Sequence, residues 1–422
     1  FDSSLEICPV CGVGKENFIP VEVEETGYVN NTQEYYVILG NGAAGFNAAK
    51  AIRERDKTGA VILISNEPYP AYNRPMLTKS IVAGLSADQI AIEGPDWYEE
   101  NKVYQMLGKE IAGVDMEAKE VLLGSGEKVH FTRLIYALGS ECFIPPVDGS
   151  SLPEVVAIRR LADVERLEKL MKQTSEAVVI RGGVLGLEAA WELKKAGIHV
   201  TVLEAAPVLM GRQLDAGSAE ILKEIAAKSG VEIRTGVSAA AIEGEEHVSG
   251  VQLSDGTVIP VQLVVVSAGV RPNTALAEKI GLETGRAVKV NSRMETTVEG
   301  IYACGDCAEY EGTDLALWPE AVEQGRIAGA NAAGEELEYE PVEAALTFHG
   351  MNTALFAAGD CGRNPDLLYK TVEFRDMGKG QYRKYFFLNN RLSGVILLGD
   401  LSEMAKMTEA LKKHAQYKDV LG

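Results

Sequence analysis

Basic residues are scarce in this chain. Its 422 residues carry 41 Lys and Arg against 61 Asp and Glu, a formal charge of −20. Binding a nucleic acid needs a basic face, so the balance argues against a nucleic-acid partner, and an anionic membrane would repel the chain. Long apolar runs are missing too: none approaches the ~18 residues of a membrane-crossing helix, and no signal-peptide pattern is visible. Cysteine is sparse, with Cys8, Cys11, Cys142, Cys304, Cys307 and Cys361 the only six. That excludes a disulfide scaffold and points to a reducing cytoplasm. The five histidines are scattered without metal-ligand spacing.

What is present is a repeated pattern. The stretch YYVILGNGAAGFNAAKAIRERD, followed by VILIS, reads as a buried strand, a glycine cluster, an Ala-rich helix and a second strand. This is a β-α-β unit. The pattern returns in AVVIRGGVLGLEAAWELKKAGIHVTVLE, ending at Glu204. Two copies so far apart mark a duplicated domain type and not a solenoid. From residue 339 the character changes to strands (KTVEFRD, QYRKYFFLNN, RLSGVILLGD) and a helix expected from Ser402 to about His414.

The first loop, Gly40-Asn41-Gly42-Ala43-Ala44-Gly45, is a full G-x-G-x-x-G with Glu67 22 residues beyond its last glycine. Such glycines permit a tight turn, a close approach to a pyrophosphate, and helix-on-strand packing. The helix N-terminus then faces the diphosphate. The second loop departs: with Gly183 and Gly186 aligned to the second and third glycines, Arg181 stands at the first. Its guanidinium can reach a diphosphate or point to solvent. Glu204 suits a ribose 2′-hydroxyl and repels a 2′-phosphate, and Ala205 and Ala206 supply no cation. The expected second dinucleotide is therefore NADH and not NADPH. Two such sites imply hydride transfer between two dinucleotides.

From Tyr35 onward the chain resembles the FAD-dependent pyridine-nucleotide oxidoreductases, through LGNGAAG, YNRPMLTK, YALGS, GGVLGLE, SAGVRPN, YACGDCAE and WPEAVEQG. The resemblance implies an α/β fold of two Rossmann-like three-layer dinucleotide-binding domains, the NAD domain inserted in a split FAD domain, with a C-terminal α+β domain. The expected divisions are a partial module (1–20), a linker (21–33), FAD domain (34–146), NAD domain (147–270), FAD domain again (271–336) and C-terminal domain (337–422). It also implies that Gly40, Gly42, Gly45, Glu67, Arg74, Lys79, Ala137, Gly139, Gly305, Asp306 and Trp318 contact FAD, with Asp306 on the ribityl chain. Gly183, Gly186, Glu188 and Glu204 would contact NAD. Lys79 and Glu188 would form a catalytic pair beside the flavin, the lysine stabilising charge on the reduced ring and the glutamate orienting it. Leu138 replaces a customary threonine.

Disulfide-reducing members carry cysteine soon after the first β-α-β unit, and here NEPYPAYNRPMLTKS has none. That implies the branch of rubredoxin and ferredoxin reductases and of the nitrite reductase large subunit's flavin region. Cys304-Gly-Asp-Cys307 lies inside the FAD motif and reads as a packed pair, not a catalytic disulfide. Cys142 and Cys361 read as ordinary thiols. The fragment ICPVCGVGKENF resembles the C-terminal half of a rubredoxin, so Cys8 and Cys11 form half of a four-thiolate site for iron, or zinc. The expectation is an upstream loop completing it, and a fused acceptor tethered by the linker. Expected partners are NADH and a rubredoxin or other small iron–sulfur acceptor. The alternatives are a flavin subunit of a larger, nitrite reductase-like assembly, an NADH oxidase, and a nucleotide sensor that keeps FAD for structure.

Overall fold

The computed structural model describes residues 26–341, 344–376, 378 and 380–421. The apolar run Tyr35–Leu39 is buried on both faces after its first residue, as a strand with parallel neighbours on each side must be. It pairs with Ala60–Ile64 and Arg133–Tyr136, and the sheet is completed by Val103–Met106 at one edge and Ile301–Ala303 at the other. Helix α1 (Ala43–Arg55) covers it, and the short helix α2 (Leu77–Ala83) follows the second strand. A second all-parallel sheet runs in the order Val231–Thr235, His199–Glu204, Glu176–Ile180, Leu263–Val266, Val155–Val156, with α3 (Val184–Lys195) after Glu176–Ile180. Each half also carries a three-stranded antiparallel meander, at Ile111–His130 and Ala239–Pro260.

The first sheet takes its last strand from beyond the second sheet, so the second unit is inserted in the first. The two chain crossings, Ser140–Cys142 and Val270–Pro272, pair antiparallel. Helix α4 (Trp318–Ala332) returns to pack on α1. A Cβ on Gly325 or Gly329 would lie 2.2 Å from the carbonyl oxygen of Ala44 or Ala48. Small residues thus let the two backbones touch, so the two helices run parallel in close contact.

The C-terminal unit is a five-stranded antiparallel sheet in the order Ala345–Gly350, Thr353–Gly359, Arg391–Leu398, Gln381–Leu388, Lys370–Asp376. Its first two strands were not legible in the sequence; its helix, Met404–Lys412, is slightly shorter than expected. Leu77 and Ile81 of α2, Leu187 and Leu193 of α3, and Phe348 and Leu355 of this sheet share one hydrophobic core. The three units therefore meet where α2 and α3 cross.

Residues 26–33, expected within a linker, have no regular secondary structure but are hydrogen-bonded to the body. The Asn30 N–H donates to the Arg55 carbonyl at 2.9 Å, and the Asn30 amide to the Ala333 carbonyl at 3.1 Å. Thr32 donates to the buried carboxylate of Asp56, which also accepts from Tyr36, Thr58 and Gly59. Burial alone would raise the Asp56 pKa, but these donors, Thr32 foremost, hold it well below the usual carboxylate range. A depressed folded-state pKa adds stability above the unfolded value of ~3.9 that is lost as pH falls towards the folded value. Asp56→Asn should therefore cost about 1–3 kcal/mol at neutral pH and flatten the loss of stability below about pH 4. Urea unfolding across pH checks this; an unaltered acid limb in the variant would contradict it.

Candidate active site

The first glycine loop forms the turn between strand Tyr35–Leu39 and α1. Gly40 has φ +109°, and a Cβ there would meet the Ala137 carbonyl oxygen at 2.1 Å; both facts require glycine. Gly42 caps α1 without a side-chain hydrogen bond, and the first turn holds no acidic residue. Its leading N–H groups are left for an anion. A Cβ on Gly45 would lie 1.9 Å from the Gly40 carbonyl oxygen, so the helix start is pressed onto the turn. Gly305 closes the seat from the other side, where a Cβ would stand 2.8 Å from that of Ala44. Backbone donors at a positive helix end fit the diphosphate of a dinucleotide.

Polar side chains ring this seat. Glu67 follows the second strand, but its carboxylate is already engaged: Tyr72 donates to Oε2 at 2.6 Å and Arg74 pairs with Oε1. Arg74 also donates to the Arg159 carbonyl at 2.7 Å. Arg159 in turn donates to Asp306 Oδ2 at 2.6 Å, as does Ser140 at 2.7 Å. Glu67, Arg74 and Asp306, read from the sequence as separate contacts, are thus joined in one chain of charges. Asp306 Oδ1 is left without a partner among the described residues. Gly139 has φ +65°, and the neighbouring Leu138 carbonyl accepts from the Asn273 side chain at 2.8 Å. Trp318 opens α4, which has no side-chain N-cap.

The second loop repeats the geometry with one change of residue. Arg181 occupies the first glycine's place with φ +79°, a region that costs an L-residue of order 1–3 kcal/mol. A Cβ on Gly186 would lie 2.2 Å from the Arg181 carbonyl oxygen, matching Gly45 on Gly40. Gly183 caps α3 without a side-chain bond. The Arg181 side chain donates to the Ala268 carbonyl at 3.2 Å, at the rim of an apolar cavity of about 250 Å³ lined also by Ile180, Leu203, Ala205 and Val266. Glu204 is held by the N–H groups of Gly182 at 3.0 Å and Ala206 at 2.9 Å. A carboxylate fixed beside an apolar cavity suits a ribose and a flat base.

Lys79 of α2 and Glu188 of α3 meet where these two helices pack against the C-terminal sheet. Glu188 is 7% exposed, and it accepts a 2.6 Å hydrogen bond from Thr78 and not from Lys79. Lys79 acts on it through its charge, and the His349 backbone N–H of the C-terminal sheet adds to the same effect. Burial nevertheless wins and raises the Glu188 pKa. Thr78, His349, Arg159 and Asn273 escaped the sequence reading. Each is a lone residue outside a motif, or one inside a motif with no spacing signal, and its partner lies far along the chain.

Cys304 and Cys307 are free and fully buried, and burial pushes Cys307 up to about 12. Neither is a thiolate nucleophile at neutral pH. Cys142 and Cys361 are also free. Cys8 and Cys11 lie outside the described residues, and among those residues no cluster of His, Cys, Asp or Glu could hold a metal. Nor is any described helix long and apolar enough to cross a membrane.

Known proteins share this arrangement. The model of the pyridine nucleotide-disulphide oxidoreductase family matches residues 35–325, and that of the rubredoxin NAD+ reductase C-terminal domain matches residues 345–415. The nitrite reductase [NAD(P)H] of Bacillus subtilis is 34% identical over 90% of this chain, and the chain spans 47% of that protein, about half its length. The NADH oxidase of Methanocaldococcus jannaschii is 33% identical over 77% of this chain and 74% of its own. The crystal structure of NADH:rubredoxin oxidoreductase from Clostridium acetobutylicum superposes with a TM-score of 0.77 at 28% identity, covering 93% of this chain and 98% of that one. With both glycine seats, the inserted second unit and a family match over most of its length, the chain belongs to the pyridine nucleotide-disulphide oxidoreductases and is an NAD(P)H-dependent flavoenzyme.

Proposed function

We propose that this chain takes hydride from NADH onto FAD and passes single electrons to a rubredoxin-type iron acceptor, for which residues 1–20 are a candidate part. Two uncapped glycine seats in one chain, together with the electrostatic pairing of Lys79 and Glu188 across α2 and α3, carry the reading. FAD, when bound, supplies the exchange between a two-electron hydride donor and one-electron acceptors. Gly40, Gly42 and Gly45 with the α1 N-terminus hold its diphosphate, and Asp306 Oδ1 takes a ribityl hydroxyl. Backbone at Ala137, Gly139, Gly305 and Trp318 borders the flavin. Glu67 keeps Arg74 in place and has lone pairs left for a ribose hydroxyl. Gly183, Gly186 and the α3 N-terminus hold the NADH diphosphate, and Glu204 selects the 2′-hydroxyl.

With FAD bound, the Lys79 ammonium would offset negative charge on its ring. Glu188, fixed by Thr78 and the three-way junction, keeps that ammonium near the ring and can hold a proton at Oε1. The stretch NEPYPAYNRPMLTKS after the first β-α-β unit holds no cysteine to relay electrons through a disulfide, which weighs against a thiol-based oxidase. A second reading has one observation in its favour. A relative of about twice the length is a nitrite reductase, so the chain would serve as the flavin region of a larger reductase. Reduction rates with rubredoxin, against co-purification of a larger partner, separate the two.

Three outcomes are expected. Lys79→Met should retain flavin yet slow its bleaching by NADH by about 10²-fold in anaerobic stopped-flow; bleaching at the wild-type rate would contradict the role. Glu204→Ala should raise kcat/KM for NADPH relative to NADH about tenfold or more, because a like charge beside the 2′-phosphate is removed. An unchanged ratio would place cofactor choice elsewhere. Arg181→Gly should raise thermal stability by about 1 kcal/mol through relief of the positive φ; calorimetry showing a loss would mean that the side chain's contacts outweigh the strain.

A further inference from the structure

The proposed reaction leaves a proton over. NADH loses a C–H bond with its electron pair, two ferric acceptors each take one electron, and the balance is NADH + 2 A(ox) → NAD+ + 2 A(red) + H+. That proton must reach solvent.

We propose that the cleft between α3 and the C-terminal sheet is its outlet, with Glu192 passing the proton from the Lys79–Glu188 junction to solvent through water that His349 orients. The inference rests on the function proposed above. Glu188, Glu192 and Lys195 stand at i, i+4 and i+7 on α3 and share one face. The two steps advance about 6 Å and about 4.5 Å along the helix axis. Burial falls along the stripe: Glu188 and Glu192 are 7% and 6% exposed, whereas the Lys195 side chain is 41% exposed. The cleft itself has a volume of about 560 Å³ and is lined by Lys79, Trp191, Glu192, Lys195, His349 and neighbouring backbone.

Two buried polar atoms on its wall lack a partner: Glu192 Oε2 and His349 Nε2. They come from different elements of the fold. Buried polar atoms are rarely left unpaired, and a roomy polar cavity holds water that satisfies them. The other Glu192 oxygen, Oε1, pairs with Lys195 at 2.7 Å. The charged groups facing this pair are Lys79 from α2, and Glu188 and Lys195 from α3. Burial raises the Glu192 pKa against the pull of Lys195 and Lys79, and burial followed by the charge of Lys79 lowers His349 to about 4. At neutral pH the imidazole is then neutral, with one nitrogen donating and one accepting. A carboxylate whose pKa is raised lies nearer the operating pH and can take and release the proton, while the neutral imidazole orients the water beside it.

A high-resolution crystal structure of the flavin-loaded protein should show ordered water bonded to Glu192 Oε2 and His349 Nε2. A dry cleft, or protein groups satisfying both atoms, would overturn the proposal. The kinetic test is single turnover with NADH and ferricyanide, an acceptor of electrons alone, in weak buffer with a pH-indicator dye. Glu192→Gln and His349→Gln should each delay proton release about tenfold, enlarge the solvent isotope effect on flavin reoxidation, and be partly rescued by imidazole. Wild-type release and isotope effect in both variants would overturn the outlet while leaving the Lys79–Glu188 reading intact. Wild-type NADH reduction in Lys79→Met would overturn both.

Discussion

The Cα of Gly45 lies so close to the carbonyl of Gly40 that no side chain fits between them, and Gly186 stands the same way over Arg181. These two backbone contacts govern the molecule. Each brings a helix start down onto the end of a parallel strand, where its free N–H groups and dipole gather around a small space. Gly325 and Gly329 extend the principle by letting α4 touch α1 at Ala44 and Ala48. The two helices therefore run parallel with their backbones in contact. An anion seat built from backbone is rigid, because the hydrogen bonds that fix it are those of the fold.

Electrostatics then fills in what backbone cannot. Around the first seat, Glu67, Arg74, Arg159 and Asp306 compensate one another, so partly buried charges sit there without standing alone. At the junction the balance is looser. Glu188 and Glu192 are nearly buried, Lys79 and Lys195 offset them in part, and an imidazole whose Nε2 has no partner among the described residues stands opposite. Partly compensated carboxylates with raised pKa values suit the movement of protons and charge. The compensated ring suits the holding of a cofactor.

The sequence made visible whatever is local. The loop Gly40 to Gly45, the parallel strands and the acidic residues Glu67 and Glu204 follow from spacing and periodicity over a few dozen residues, whereas the insertion of the second unit was implied only by the family resemblance. Arg181 could be flagged as a departure, but only its φ of +79° shows that it takes up the glycine's turn. Pairings across long separations stayed hidden. Glu67 was assigned to a ribose and Arg74 to a flavin, and nothing in the pattern says that they meet. Thr78 is the neighbour of the expected Lys79, yet its hydroxyl is the one that reaches Glu188. On a helix, adjacent residues point about 100° apart, so a motif identifies the turn more surely than the atom. His349 and Glu192 carry no motif and become a pair only once the C-terminal sheet is folded against α3.

The most direct measurement is to add a single methyl group at each close approach and record the two nucleotides separately. Gly45→Ala should purify with little or no flavin. Gly186→Ala should stay yellow with a normal flavin content while its NADH dissociation constant weakens by about tenfold or more. Full flavin occupancy in Gly45→Ala, or unaltered NADH binding in Gly186→Ala, would contradict the view that these backbone contacts build the two seats.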